Sequence, residues 1–220
     1  QNGKMRARAA LRALAILLAA AGAAGCGGAT RDASIAPEPA ASQDPGPRPA
    51  IRGPDGQIPL YTLAGQPTTL GAHGAKVTVI ALWATFCAPC LEELPHVDAL
   101  YRKYRGRSDV SVIAVNLDDT SDPTTRAEVA HLLDRMSIQM PCLLGGMPVM
   151  ERLTARDTSG QPKMALPLLA VVDEAFRIHR RFGFMHGESR DQYLAEKSAL
   201  VESALRGEEP DNRLPPGLMQ

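Results

Sequence analysis

Cys87 and Cys90 stand two residues apart in the run Trp83-Ala84-Thr85-Phe86-Cys87-Ala88-Pro89-Cys90, between an apolar, β-branched stretch (77–82) and a stretch of helical character (91–104). At a strand-to-helix junction this spacing puts both sulfurs on one side of the first helical turn, close enough to bridge. Cys87 lies nearest the helix start, where unpaired N–H groups and the helix dipole favour a thiolate. The thiolate is the species that attacks disulfides, so Cys87 is the expected nucleophile and Cys90 the shielded, resolving thiol. The same pair is also half of a zinc site, but a structural zinc site takes a second pair of ligands at comparable spacing. Cys26 and Cys142 stand alone, and His73, His96, His131, His179 and His186 form no HxxxH or CxxH pattern. The redox reading is therefore favoured, with no metal and no cofactor. A bridge that never exchanges is the bland alternative, and closing so short a loop adds little stability.

Resolving a mixed disulfide requires Cys90 to lose a proton. Glu93 is three residues on, on the same face of a helix, and a carboxylate desolvated enough to raise its pKa can accept that proton. Glu92 is its rival, and a solvated surface carboxylate is the alternative for either. Cys142, between Pro141 and Leu143, reads as a buried thiol.

The elements that must position these groups follow from pattern. Residues 60–63 and 68–70, around a Gly65-Gln66-Pro67 turn, read as a hairpin. Stretches 76–82 and 110–117 are predominantly apolar, as in strands buried on both faces of a largely parallel sheet. A helix over 89–104 carries Cys90, and Pro95 inside it predicts a kink. Asp122-Pro123 opens a helix to about 136. A short strand (138–144), a short helix (147–155), a polar loop (156–165), two antiparallel strands (168–172 and 176–184) and a closing helix (188–205) complete the chain. Leu194, Val201 and Leu205 mark the apolar face of that last helix, with Tyr193, Leu200 and Ala204 alongside. The expected class is α/β: a central mixed β-sheet flanked by helices, with an N-terminal β-hairpin.

The run Trp83 to Pro95, W-A-T-F-C-A-P-C-L-E-E-L-P, resembles the thioredoxin superfamily and, more closely, TlpA/ResA-type thiol-disulfide oxidoreductases, which read W-A-[ST]-W-C-x-P-C-x-x-E-x-P. Trp83, both cysteines, Pro89, Glu93 and Pro95 match, and Phe86 replaces a usual second Trp. The likeness extends more loosely over about 58–205 and implies a thioredoxin-like fold. It implies proton transfer by Glu93 and a cis Pro167 facing the cysteines, so that the backbone of Leu166 (often Thr in the family) meets the substrate chain. Trp83 and Phe86 are expected to pack around the site, Trp83 equally as a plain core aromatic. With Pro89 and Leu166 they form the expected substrate-binding set. The partners implied are protein disulfides and dithiols, haem-attachment cysteines of apocytochrome c being one example, and a membrane-embedded electron donor. Ala88-Pro89 puts no charge and no His between the cysteines, which favours a reductant.

From Met5 the chain reads as an export signal: Arg6, Arg8 and Arg12, a short apolar run to Ala21, then Ala23-Ala24-Gly25 before Cys26. The run is shorter than the ~20 residues of a comfortable membrane span. Small residues before a cysteine resemble a bacterial lipobox, although Ala23 stands where Leu is usual, and by that resemblance Cys26 would be lipidated. An ordinary cleaved signal and an uncleaved anchor remain the alternatives. The domains expected are thus a signal over 1–26, a Pro- and Gly-rich tether over 27–50 that cannot bury enough surface to fold, a thioredoxin-like domain over 51–206 and a tail over 207–220. The expected location is extracytoplasmic and membrane-anchored.

The 24 basic and 24 acidic residues balance, with no basic stripe, which speaks against a nucleic-acid partner. Two rival functions share the fold. A thiol peroxidase would want Thr three residues before the reactive Cys, where Ala84 stands. A copper-delivery module spaces its cysteines as CxxxC with a distal His, one residue more than here.

Overall fold

Chain direction and register decide where the cysteines stand. The computed structural model describes residues 51–119, 121–154, 159–160, 165–183 and 187–208, with the backbone alone at 181 and 182. The export segment, Cys26, the tether, most of the 156–165 loop and the tail from 209 lie outside the described residues. The elements run α1 (Gly53–Gly56), β1 (Pro59–Thr62), β2 (Pro67–Thr69), a 3₁₀ turn (Leu70–His73), β3 (Val77–Trp83), α2 (Ala88–Tyr104), β4 (Val110–Asn116), α3 (Pro123–Arg135), β5 (Cys142–Leu144), α4 (Met147–Leu153), β6 (Leu168–Asp173), β7 (Ile178–Phe182) and α5 (Arg190–Leu205). The strands form one mixed sheet in the order β2-β1-β5-β4-β3-β6-β7.

All seven residues of β3 and of β4 are buried, the polar Thr78, Ser111 and Asn116 included, as their largely apolar runs predict. The strand alternation sends Val79, Ala81, Val112 and Ala114 to one face, under Leu94, Val97 and Leu100 of α2 and Val201 of α5. It sends Ile80, Leu82, Ile113 and Val115 to the other, against Val149 and Met150 of α4 and the N-terminal segment's Ile51, Leu60 and Leu70. Ile51 packs so closely there that a Cβ on Gly56 would stand 2.0 Å from its carbonyl oxygen.

Strand β3 pairs parallel with β4 and antiparallel with β6, Leu82 opposite Leu168. Residues just before Leu168 therefore arrive at the carboxyl end of β3, where the cysteine loop begins.

Three expectations are revised. The 138–144 strand shortens to Cys142–Leu144, because the buried Asp98 carboxylate takes the N–H groups of Gln139 (2.7 Å) and Met140 (2.9 Å). Strand β7 starts at Ile178, because Phe176 has φ 57° and Asp173 accepts from the N–H groups of Ala175 and Arg177 (both 2.9 Å), which closes the turn. Helix α2 holds Pro95 within one 17-residue element, as the 89–104 helix predicts, and the missing proline N–H leaves one carbonyl of the preceding turn without its helical donor. In α5 the fully buried stripe is Tyr193, Lys197, Val201 and Ala204, whereas Leu194, Leu200 and Leu205 are only partly buried at its margin. A lysine reads as a surface residue, and its ammonium is compensated here by Glu196 on the same helix and by Glu188 just before it.

Ser189 caps α5: its hydroxyl accepts from Gln192 N–H at 3.3 Å while the Gln192 side chain accepts from Ser189 N–H at 3.1 Å. Ser189→Ala should cost about 1 kcal/mol and lower the melting temperature by roughly 2–4 °C, measured calorimetrically. No change would mean that packing alone holds the start of α5.

Candidate active site

Leaving β3, the chain turns sharply before α2. Leu117 N–H donates to Trp83 O at 2.9 Å and Cys87 N–H to Ala84 O at 3.1 Å. One Asp118 carboxylate oxygen accepts from Thr85 N–H (3.0 Å) and from the Asn116 side-chain amide (2.8 Å), which pins the loop to the end of β4. Pro89 sits in the first turn of α2, where a missing N–H has no cost.

Cys87 is the N-cap of α2, its sulfur accepting from Cys90 N–H at 3.3 Å. The two sulfurs are bonded, S–S 2.07 Å and Cα–Cα 5.2 Å. Cys87 keeps 9% of its surface and Cys90 1%. The reachable sulfur is thus also the one at the helix dipole's positive end. Leu166-Pro167 is a cis bond at the head of β6, with Pro167 buried and Leu166 half-buried.

The aromatic pair divides. Trp83 is 1% exposed and supports the loop from the core, so it offers no surface to a substrate. Phe86 does not pack around the cysteines: it is 80% exposed, because the turn that aims Cys87 into the helix aims its neighbour out.

Glu93 is buried, whereas Glu92 is exposed. Its carboxylate accepts from the Tyr193 hydroxyl at 2.9 Å. Burial pushes the Glu93 carboxyl up to about 7, opposed by the Tyr193 hydrogen bond and the charge of Lys197 and assisted by Glu188. Cys142 is free and buried, and burial pushes its thiol up to about 12, so an attacking thiolate does not form there at neutral pH. Among the described residues no three His, Cys, Asp or Glu side chains gather where a metal ion could sit.

The site thus brings together Cys87, Cys90, Pro89 and, by register, Leu166-Pro167, with Glu93 one turn below Cys90. Tyr193, Lys197 and the Asn116–Asp118 clamp were missed by sequence reasoning. A polar Asn-x-Asp at the end of a buried strand, and a Tyr-x-x-x-Lys pair inside an apolar stripe, are the signals that could have found them. The bridged pair can accept two electrons as two thiols, one of them reachable.

A family model described as Redoxin matches residues 49–185. Thioredoxin-like protein YneN of Bacillus subtilis is 31% identical over 85 residues, covering 39% of this chain and 48% of that protein. Thiol-disulfide oxidoreductase ResA of Halalkalibacterium halodurans is 29% identical over 85 residues, covering 39% of this chain and 45% of that protein. The chain spans about half the length of the curated relatives it matches. A crystal structure of a DsbF homologue from Corynebacterium diphtheriae superposes with a TM-score of 0.51 at 18% identity, over 69% of this chain and 87% of that one. The fold is thioredoxin-like.

The Glu93 carboxyl has a consequence for stability. Its pKa rises from the ordinary 4.5 to about 7 on folding. Between those values the folded chain holds the extra proton, so stability falls as pH rises through this window and levels off above it. Glu93→Gln has no such titration and keeps an acceptor for Tyr193. Its stability relative to the native protein should therefore grow by up to roughly 3 kcal/mol between pH 4.5 and 8, measured by urea unfolding of the oxidised forms. A gap that shrinks with pH would mean that the folded carboxyl is ionised below its ordinary pH.

Proposed function

The chain belongs to the Redoxin family, and on that premise we propose that it is an extracytoplasmic thiol-disulfide oxidoreductase that reduces protein disulfides. The observation that carries this reading is the Cys87–Cys90 bridge at the start of α2, with Cys87 the more exposed of the pair at 9% against 1%. The relatives named thiol-disulfide oxidoreductase support it.

In the reduced protein the Cys87 thiolate attacks one sulfur of a substrate disulfide. The substrate S–S bond breaks, a Cys87–substrate disulfide forms and one substrate thiolate leaves. Cys90 passes its proton to the Glu93 carboxylate and attacks the Cys87 sulfur. The Cys87–Cys90 bond forms, and the second substrate thiolate leaves. The substrate gains two electrons and the protein loses them. Glu93 returns its proton to a departing thiolate, and an external dithiol restores the pair. Phe86, Pro89 and Leu166 form the surface a substrate chain meets. Burial qualifies Glu93 for its part: the carboxyl changes protonation near neutral pH, where an acceptor is useful.

The tether and Cys26 support a membrane-anchored placement, with a membrane-embedded electron donor and with apocytochrome c thiols as one substrate class. Among the described residues no helix is long and apolar enough to cross a membrane.

Cys87→Ser should abolish insulin-disulfide reduction, and Cys142→Ser should leave its rate close to native, because only Cys87 combines access with a stabilised thiolate. Activity retained without Cys87 would overturn the reading. Cys26→Ala should move the protein from the membrane to a soluble exported fraction, because the acyl chains of a lipidated cysteine are its anchor. Membrane attachment that persists without Cys26 would indicate an uncleaved signal.

A further inference from the structure

Helix α5 reaches the site through two side chains that the exchange chemistry does not use. Tyr193 is fully buried, and its hydroxyl donates to Glu93 at 2.9 Å. Lys197, one turn further, is 3% exposed, which is rare for a lysine unless acidic groups compensate it. Its ammonium stands 4.9 Å from the centre of the Tyr193 ring, 2.8 Å from Glu196 and 3.8 Å from Glu188. His96 leans on the same ring, centroids 5.3 Å apart. The titratable groups that act on Glu93 are Tyr193 and Lys197 from α5 and Glu188 from the turn before it. The strands beneath α2 contribute Val79, Ala81, Val112 and Ala114, none of which titrates.

We propose that Tyr193 and Lys197 are positioning residues for Glu93: the Tyr193 hydroxyl holds its carboxyl, the Lys197 ammonium stands over the ring that carries that hydroxyl, and together they govern its readiness to accept a proton. The relevance to exchange rests on the proton-acceptor role assigned to Glu93 above, but the control of the carboxyl does not. A hydroxyl donor and a nearby cation each favour the carboxylate over the acid, whereas burial and Glu188 favour the acid. Glu93 is therefore balanced between opposing influences, and the two that stabilise its charge both come from α5. Lysine also suits the position sterically, because its methylene stem fills the apolar stripe while its ammonium turns toward the acids.

The test follows the Glu93 carboxyl in the oxidised, full-length protein by carbon NMR across pH, and separately the reaction of the reduced protein with 5,5′-dithiobis(2-nitrobenzoate). The first thionitrobenzoate released reports attack by Cys87, and the second reports resolution by Cys90. Tyr193→Phe removes one oxygen, and Lys197→Met keeps the stem and removes the charge. Each should raise the NMR midpoint by about one pH unit and shift the pH profile of the second release upward equally, leaving the first release unaffected. Lys197→Arg should return the midpoint toward the native value. Midpoints that stay in place in the folded Lys197→Met protein would overturn the inference, even if Tyr193→Phe failed to fold. Glu93→Gln separates the two claims. If its second-release profile matches the native one, Glu93 is not the proton acceptor, although shifted NMR midpoints would still establish the control by α5.

Discussion

The registration of β3 between a parallel and an antiparallel neighbour is the constraint on which the site depends. Parallel pairing with β4 places Asn116 opposite Trp83, so that Asp118 can seize the loop just beyond. Antiparallel pairing with β6 carries the chain back in the other direction and brings Leu166-Pro167 to the same end of the sheet. A one-residue slip would turn every side chain of β3 to the opposite face and bury the wrong set against α2. With both faces of β3 apolar and covered, what pins the register is the differing shapes of the two cores and the ladders on both sides. The cysteines inherit that precision because only four residues separate the end of β3 from the start of α2.

The second organising feature is polar. A buried carboxylate alone in an apolar interface is costly, and burial pushes such a group toward its neutral form. Here Glu93 is met by the Tyr193 hydroxyl, and the Lys197 ammonium, one turn along the same helix, stands over the ring of that tyrosine and favours the charged carboxylate from a distance. The contact joins the first turns of α2 to α5, elements about a hundred residues apart, so the helix that closes the fold also supplies surroundings for the chemistry.

Much of this was legible in the sequence. Strands β3 and β4 are largely apolar runs, the Asp122 cap marks α3, and the cysteine pair at a strand–helix junction identifies its own position. What stayed hidden depended on tertiary partners. Lys197 reads as a solvent-facing residue until the Tyr193 ring and the carboxylates of Glu188 and Glu196 are seen around its ammonium. The loss of strand over 139–141 follows from Asp98, some forty residues away, taking the backbone donors that a strand would have used. Phe86 and Trp83 are both aromatics beside the motif, and only the direction of the turn separates an outward side chain from an inward one. Most of the 156–165 loop and the N-terminal export segment lie outside the described residues.

The burial of Cys142 bears on how the chain survives its own oxidation. The domain carries three cysteines, Cys87, Cys90 and Cys142, and a chain without structure could pair them in three ways. Once β5 docks on β4, with Ala114 opposite Cys142, the third sulfur is enclosed on a central strand and its proton is held tightly. Only the pair at the start of α2 remains able to bridge. Fidelity of pairing is thus a by-product of strand assembly: the core acts as a protecting group for one thiol while the helix start leaves its neighbour free to react.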